Sequence, residues 1–210
     1  MTQLNDDNFL TIGDLSNNSA CLVWLHGYGA NNWSFEPSMK LINMLLDEKL
    51  FIIIPNAPIV DGKRSWYPLP INHEKGITED YKGLCDSQTG VCNLIKRHAK
   101  ESNLFIGGFS QGAALSLSLL FSKFINIKGC IALSGYMPNA DIYNDMEIQD
   151  AEIFMAHGYK DKAILFKSYE KSISFIKSKT EKITTYTGDF GHTITEEVTD
   201  SLVSWLKDKI

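Results

Sequence analysis

The 210-residue sequence lacks the features that mark nucleic-acid-binding and membrane-spanning proteins. Its 25 acidic residues outnumber its 20 basic ones and give a formal net charge of −5, whereas nucleic-acid binders carry a basic patch. Its longest apolar runs, such as Leu50–Pro55 and Ile131–Leu133, are far too short to span a bilayer. We therefore expect no nucleic-acid partner and no stable insertion into a membrane.

Cysteine is scarce, and its spacing argues against a metal site or a redox pair. The chain has four cysteines, none in a C-x-x-C pair and none with a histidine at zinc-like spacing: Cys21, Cys85, Cys92 and Cys130. Residues 1–8 are polar and acidic, unlike a secretory signal. No ligand cluster and no phosphate-binding loop are visible. The sequence therefore predicts buried reduced thiols, a cytoplasmic location, no metal and no cofactor.

Short apolar segments alternate with longer helical patterns, and there are no internal repeats. Each segment is apolar throughout, as in strands that are covered on both faces. The predicted strands are Cys21–Leu25, Phe51–Ile54, Leu104–Gly107, Gly129–Leu133, Glu152–Ala156 and Lys182–Tyr186. The predicted helices are Ser38–Leu50, Asp86–Lys100, Gln111–Lys123, Lys162–Lys177 and Glu196–Lys209.

This alternation predicts an α/β fold, with a doubly wound, mostly parallel sheet and helices on both of its faces. The length suits one domain over residues 1–210. The one long irregular stretch is Ala57–Gly83, and loops of that length are usually functional or disordered. The segment Gly135–Ala151 is too short for a large cap domain, so we expect an open site.

A candidate nucleophile lies where the third predicted strand ends. That strand leads directly into Gly108-Phe-Ser-Gln-Gly112, and a helix follows. This is the G-x-S-x-G pattern in its strand–turn–helix context, in which a strained turn exposes the serine hydroxyl. Glycine is needed at both ends because strand and helix nearly touch there. The pattern predicts an α/β-hydrolase with Ser110 as its nucleophile.

An oxyanion-binding loop is predicted after the first strand, in Leu25-His-Gly-Tyr-Gly29. In the α/β-hydrolase fold one oxyanion donor is the N–H of the residue after the nucleophile, here Gln111. The other comes from this loop, and Tyr28 N–H is the candidate. His26 precedes the nucleophile, so we interpret it as a structural residue that braces the loop.

The base and the acid of the triad should follow the serine, in the order acid then histidine. His192 lies between the last predicted strand and the last helix, where the base belongs. Asp161 follows the preceding strand and is the predicted acid, whereas His157, at the end of that strand, is interpreted as structural. Asp189 is the competing acid because a tight loop could bring it back to His192.

Beyond these residues, the chain resembles the phospholipase/carboxylesterase family, which includes acyl-protein thioesterases. The resemblance implies a cytoplasmic, cofactor-free serine esterase or thioesterase, often a homodimer, with catalytic Ser110, Asp161 and His192. It also implies that Tyr28 and Gln111 are the oxyanion donors and that Trp66 lines the site, although core packing is an equally good interpretation of Trp66. The matching segments are Leu25–Gly29, Pro55–Pro58, Ser65–Tyr67, Gly108–Ala113, Ala132–Tyr136 with Pro138, His157–Gly158 with Asp161, and Gly191–His192.

The chain departs from the family pattern at Tyr28, at Ala30, beside Asp161 and in the short Pro58–Ser65 segment. These departures resemble the shorter bacterial esterases and predict a preference for short to medium acyl chains. Three alternatives stay open: a lysophospholipase or peptidase on the same fold, an acyl-protein thioesterase, and an inactive binding protein on a hydrolase scaffold. The expected substrate is a small-molecule ester or an acylated molecule.

Overall fold

The computed structural model describes residues 8–16, 18–73 and 76–210. Seven strands form the central sheet, and two short hairpins follow its third strand in sequence. The strands are β1 Phe9–Ile12, β2 Ala20–Leu25, β3 Leu50–Pro55, β4 Ile59–Val60, β5 Lys63–Arg64, β6 Ile71–His73, β7 Gly76–Thr78, β8 Leu104–Phe109, β9 Gly129–Leu133, β10 Glu152–Gly158 and β11 Ile183–Gly188. The α-helices are α1 Asn32–Leu45, α2 Tyr81–His98, α3 Gln111–Leu119, α4 Phe166–Lys177 and α5 Glu196–Lys207.

The central sheet has the strand order β1-β3-β2-β8-β9-β10-β11. Only the edge strand β1 is antiparallel to its neighbour, and the five other pairings are parallel. The carboxyl ends of β2, β8, β9, β10 and β11 therefore lie along one edge, where ligands bind in open α/β sheets.

Alternate residues of each strand face two separate cores. On β2, Cys21, Val23 and Leu25 pack into one core, together with buried residues of α2, α3 and α4. Leu22 and Trp24 pack into the other core, with residues of α1 and α5. The helices thus cover both faces of the sheet, which explains why its central strands are apolar throughout.

The predicted fold class is confirmed, and all six predicted strands are present. The sequence patterns missed β1, whose four residues are only partly buried or exposed and so lack a clear apolar run. They also missed the two hairpins inside Ala57–Gly83, which comprise β4 with β5 and β6 with β7. The first of these hairpins turns at Asp61 and Gly62, both with positive φ.

Helix starts were the least accurate predictions, and side-chain capping explains two of the errors. The helix predicted from Ser38 begins at Asn32, because Asn31 and Ser34 form a capping box. The helix predicted from Asp86 begins at Tyr81, because the Asp80 side chain accepts the Gly83 N–H.

The carboxyl edge of the sheet carries no large cap. Between Gly135 and Ala151 the only helical element is one short 3₁₀ turn, Ala140–Tyr143. Across the described residues, no helix is both long and apolar enough to cross a membrane.

Candidate active site

Ser110 lies in a strained turn between β8 and α3. Its φ of 56° and ψ of −116° are unusual for a residue with a side chain, and such backbone strain concentrates at functional sites. The turn is held by the Ser110 N–H, which donates to Leu133 O on β9, and by the Ser110 carbonyl, which accepts from Ala114 N. The side chain does not cap α3. The predicted nucleophile position is thus a rigid backbone feature at the carboxyl edge.

The two glycines of the motif lie where strand and helix approach each other most closely. A Cβ on Gly112 would lie 2.0 Å from the carbonyl oxygen of Leu25, and a Cβ on Gly108 would lie 2.5 Å from the carbonyl carbon of Gly112. Neither glycine has a positive φ. Glycine is therefore needed here for space and not for backbone conformation.

The loop after β2 lies directly beside the turn. A Cβ on Gly27 would lie 3.3 Å from the Cβ of Ser110. Two other N–H groups of this loop are already bound, because Gly29 N donates to Arg64 O at 2.8 Å and Ala30 N donates to Gly27 O at 3.2 Å. Tyr28 N–H is left as the candidate oxyanion donor of the loop, and its side chain is partly exposed.

His26 is completely buried and braces this loop, as its place in the sequence suggested. Its Nε2 accepts the Ala57 N–H at 3.0 Å, and its Nδ1 lies 2.8 Å from Gly27 O. Nε2 must therefore be unprotonated and Nδ1 must carry the hydrogen. Burial lowers the pKa of His26 to about 4, which keeps this neutral tautomer in place near neutral pH.

Gln111 has a role that the sequence patterns did not reveal. Besides opening α3, where its N–H is one of the unpaired donors of the helix start, it is buried and binds the 65–67 segment with its side chain. Its Oε1 accepts Trp66 N at 3.0 Å, and its Nε2 donates to Tyr67 O at 2.6 Å. The residue after Ser110 therefore fixes the segment that lies behind the oxyanion loop.

Trp66 is only 3% exposed. Its Nε1 donates to His26 O at 2.7 Å, and its ring lies 5.1 Å from the His26 ring. These contacts place the indole behind the oxyanion loop, as a brace of the loop. The prediction that Trp66 also lines the substrate site stays a prediction.

His192 and Asp161 are brought together by the loops that follow β11 and β10. His192 Nδ1 lies 2.7 Å from Asp161 Oδ2, and the His192 ring contacts the ring of Phe109, which directly precedes Ser110, at 4.7 Å. The competing acid, Asp189, is exposed and pairs with Lys160 Nζ at 2.6 Å. Of the two candidate acids, Asp161 is the one that reaches the imidazole.

The carboxylate of Asp161 is held by its own loop. Its Oδ1 accepts the N–H groups of Ala163 at 2.8 Å and Ile164 at 2.9 Å. This also explains why α4 begins at Phe166 and not at Lys162, because the intervening residues fold around the carboxylate. The Asp161 side chain is fully buried, so these donors replace the water it has lost.

A comparison with known proteins gives the family. The profile of the family described as Phospholipase/Carboxylesterase matches residues 8–210. The chain belongs to this family. It is thus a hydrolase of the carboxylesterase and acyl-protein thioesterase type, as the resemblance of its motifs implied.

Individual relatives in this phospholipase/carboxylesterase family cover nearly the whole chain. The chain is 27% identical to acyl-protein thioesterase 1 of Candida albicans, with 92% of this chain and 93% of the relative covered. It is 29% identical to a probable SOBER1-like carboxylesterase of Arabidopsis thaliana, with 96% and 87% covered. Its structure matches that of Zea mays acyl-protein thioesterase 2 with a TM-score of 0.82, at 22% identity and with 96% and 98% covered. That last likeness supports the fold.

Proposed function

We propose that this chain is a serine esterase that hydrolyses carboxylic esters or thioesters through an acyl-enzyme on Ser110, with His192 as base and Asp161 as the supporting acid. The observation that carries the proposal is the 2.7 Å contact of His192 Nδ1 with Asp161 Oδ2 at the edge where the strained Ser110 lies. The order serine, acid, histidine is that of α/β-hydrolases.

In the proposed mechanism Ser110 Oγ attacks the carbonyl carbon of the substrate, and its proton passes to Nε2 of His192. The oxyanion that forms on the carbonyl oxygen accepts hydrogen bonds from the Tyr28 and Gln111 N–H groups. The C–O or C–S bond then breaks, and His192 gives its proton to the leaving group. Water next attacks the acyl-enzyme and loses its proton to His192. The bond between the acyl carbon and Ser110 Oγ then breaks, His192 returns the proton to Oγ, and the acid is released, while Asp161 stabilises the imidazolium in both halves.

The test is covalent labelling by a fluorophosphonate, which reacts with an activated serine. Wild-type protein should be labelled at Ser110. Ser110→Ala should take no label, and its kcat for ester hydrolysis should fall by a factor on the order of 10⁶. Ser116→Ala is the matched control, because Ser116 is a buried serine of α3 whose hydroxyl bonds to Gly112 O. If the folded wild type takes no label, the proposal is wrong and the chain is the inactive binding protein on a hydrolase scaffold.

A preference for short to medium acyl chains belongs to the proposal. The Pro58–Ser65 segment forms the compact β4–β5 hairpin, whose Arg64 carbonyl holds Gly29, and Lys63 Nζ lies 5.5 Å from the centre of the Tyr28 ring. A small hairpin against a bulky Tyr28 offers little wall to a long chain, and each buried CH₂ contributes about 0.8 kcal/mol where a wall exists.

A p-nitrophenyl ester series from acetate to palmitate tests this preference. Specificity constants should peak before the long chains. A steady rise to palmitate would contradict this preference and favour the acyl-protein thioesterase alternative. Palmitoyl-CoA and lysophosphatidylcholine, assayed in parallel, separate the thioesterase and lysophospholipase alternatives.

We further propose that catalysis needs no metal or cofactor, that the protein is cytoplasmic and that it can form a homodimer. Within the described residues the four cysteines form no disulfide, which fits a reducing compartment, and three of them are buried while Cys85 is only partly so. Burial raises the pKa of Cys21 to about 11, so this thiol stays protonated and is a poor nucleophile. Full activity after exhaustive dialysis against EDTA would support the first point, and sedimentation velocity measures the oligomeric state.

A further inference from the structure

His157 is a buried histidine at the end of β10, where the sequence indicates a structural residue and not the base. Its ring nevertheless lies against the proposed triad. Its Nε2 is 2.8 Å from Ile164 O and 3.3 Å from Asp161 Oδ2, the same oxygen that contacts His192. Two imidazoles therefore lie close to one carboxylate oxygen, although only His192 is hydrogen-bonded to it, and of the two rings only His192 is partly exposed.

The surroundings of His157 determine its tautomer. The Ile164 carbonyl can only accept a hydrogen bond, so Nε2 must carry a hydrogen. Nδ1 is buried without a partner among the described residues, and the ring is stacked on Tyr169 at 5.0 Å. A protonated Nδ1 would be a buried donor with nothing to bind, which is costly.

The titratable groups that face His157 are Asp161 on its own loop, His192 from the loop after β11, and Tyr169 from α4. Burial lowers the pKa of His157, although the hydrogen bond to Ile164 and the charge of Asp161 oppose this effect. Burial thus favours the neutral form of His157.

We propose that His157 is a positioning residue. Its Nε2–H binds the carbonyl of Ile164, whose own N–H holds Asp161 Oδ1, and the dipole of the His157 N–H lies beside Oδ2, so that Oδ2 stays directed at His192. The inference rests on the proposed roles of Asp161 and His192. Asp161 accepts two backbone N–H groups on Oδ1 and contacts His192 Nδ1 through Oδ2, while Nε2 of His157, whose hydrogen is bound to Ile164 O, lies 3.3 Å from that same Oδ2. In its neutral form His157 supports the carboxylate without competing with His192 for the proton.

The variants that test this role separate the donor from the packing of the ring. His157→Leu removes the donor, whereas His157→Gln can place an amide N–H near the position of Nε2. Tyr169→Leu is the matched control, because it removes the ring stacked on His157 and leaves the donor intact. Each variant is assayed for kcat per fluorophosphonate-labelled site and for the pH at which kcat/KM rises.

For His157→Leu we expect a kcat about tenfold lower, the size of one lost hydrogen bond, because Ile164 is no longer tied beside the Asp161 carboxylate. We also expect its kcat/KM to rise at a pH higher by roughly half a unit, because Oδ2 without the N–H dipole of His157 beside it holds the His192 proton more strongly. His157→Gln should recover most of the wild-type kcat, and its kcat/KM should rise at nearly the wild-type pH. Tyr169→Leu should keep the wild-type pH profile. An unchanged profile in His157→Leu, or equal defects in the Leu and Gln variants, would overturn the proposal.

A measurement on the unmodified protein keeps the inference testable if these variants fail to fold. Nitrogen-15 NMR of the histidine rings should show His157 protonated on Nε2 and bare on Nδ1 from about pH 5 to pH 8. The Nδ1–H tautomer, or a charged ring in that range, would refute it. This result needs no turnover, so it is independent of whether wild-type Ser110 is labelled, which tests the proposed function itself.

Discussion

The Oδ2 atom of Asp161 lies 2.7 Å from Nδ1 of His192, although 31 positions separate the two residues in the chain. Asp189, only three positions before His192, is paired instead with Lys160 and is exposed. Proximity in sequence is therefore a poor guide to which carboxylate supports the imidazole.

Replacing each carboxylate in turn should give very different losses. Asp161→Asn should lower kcat by roughly 10⁴ while the protein stays folded, because the imidazole loses both control of its tautomer and charge stabilisation. Asp189→Asn should cost less than about tenfold, since a solvent-exposed ion pair such as that with Lys160 contributes little. Steady-state kinetics on one ester, with circular dichroism as the folding control, measures both. The reverse order would move the acid to the His192 loop.

Gly112→Ala should destabilise the protein strongly. The added Cβ would meet the backbone oxygen of Leu25 at 2.0 Å, and a backbone atom cannot move aside as a flexible side chain can. We expect the free energy of unfolding to fall by about 3 kcal/mol or more.

Gly191→Ala is the control for that substitution, because its new Cβ would come no nearer than 3.8 Å to Lys160 O. Its effect should stay below about 1 kcal/mol. Urea denaturation of both variants gives the comparison. Similar losses in the two would mean that the close approach of β2 and α3 does not limit stability.

His26 should make the stability of the protein depend on pH. Its pKa of about 4 in the folded state lies below its ordinary value of 6.5, so the unfolded chain binds the proton more readily. This contribution to stability is complete above pH 6.5 and is lost as the pH falls towards 4. The loss should be on the order of 3 kcal/mol.

Urea denaturation at several pH values, compared between wild type and His26→Gln, isolates this effect from that of the carboxylates. The difference in unfolding free energy between the two proteins should shrink as the pH falls through that range. If the unfolding free energies of wild type and variant depend on pH in the same way, the folded protein does not hold His26 neutral.

Trp66→Phe separates the two interpretations of the indole. Losing the hydrogen bond to His26 O should loosen the oxyanion loop and lower kcat/KM about tenfold. Because the loop serves every substrate alike, the factor should be similar for the acetate and octanoate esters. A loss that grows with acyl length would instead indicate that the indole contacts the acyl chain.

The sequence by itself determined six of the seven strands of the central sheet and the turn that carries Ser110. Strands apolar on both faces require a covered parallel sheet, and the two glycines of the G-x-S-x-G turn are dictated by local crowding against Leu25. Both features are local or periodic, so residue patterns report them directly. The positions of Asp161 and His192 also followed, because strand order places their loops at one edge.

Only the tertiary structure decided between Asp161 and Asp189, and it alone revealed the side-chain roles of Gln111 and His157. These depend on which side chains meet across loops separated by tens of residues. Gln111 contacts Trp66 across 45 positions, for example. Helix starts were missed for a related reason, because a cap such as that of Asn31 depends on local geometry and not on apolar spacing. Such contacts produce no periodic residue pattern in the sequence, because each involves a single polar group whose partner depends on how the loops fold.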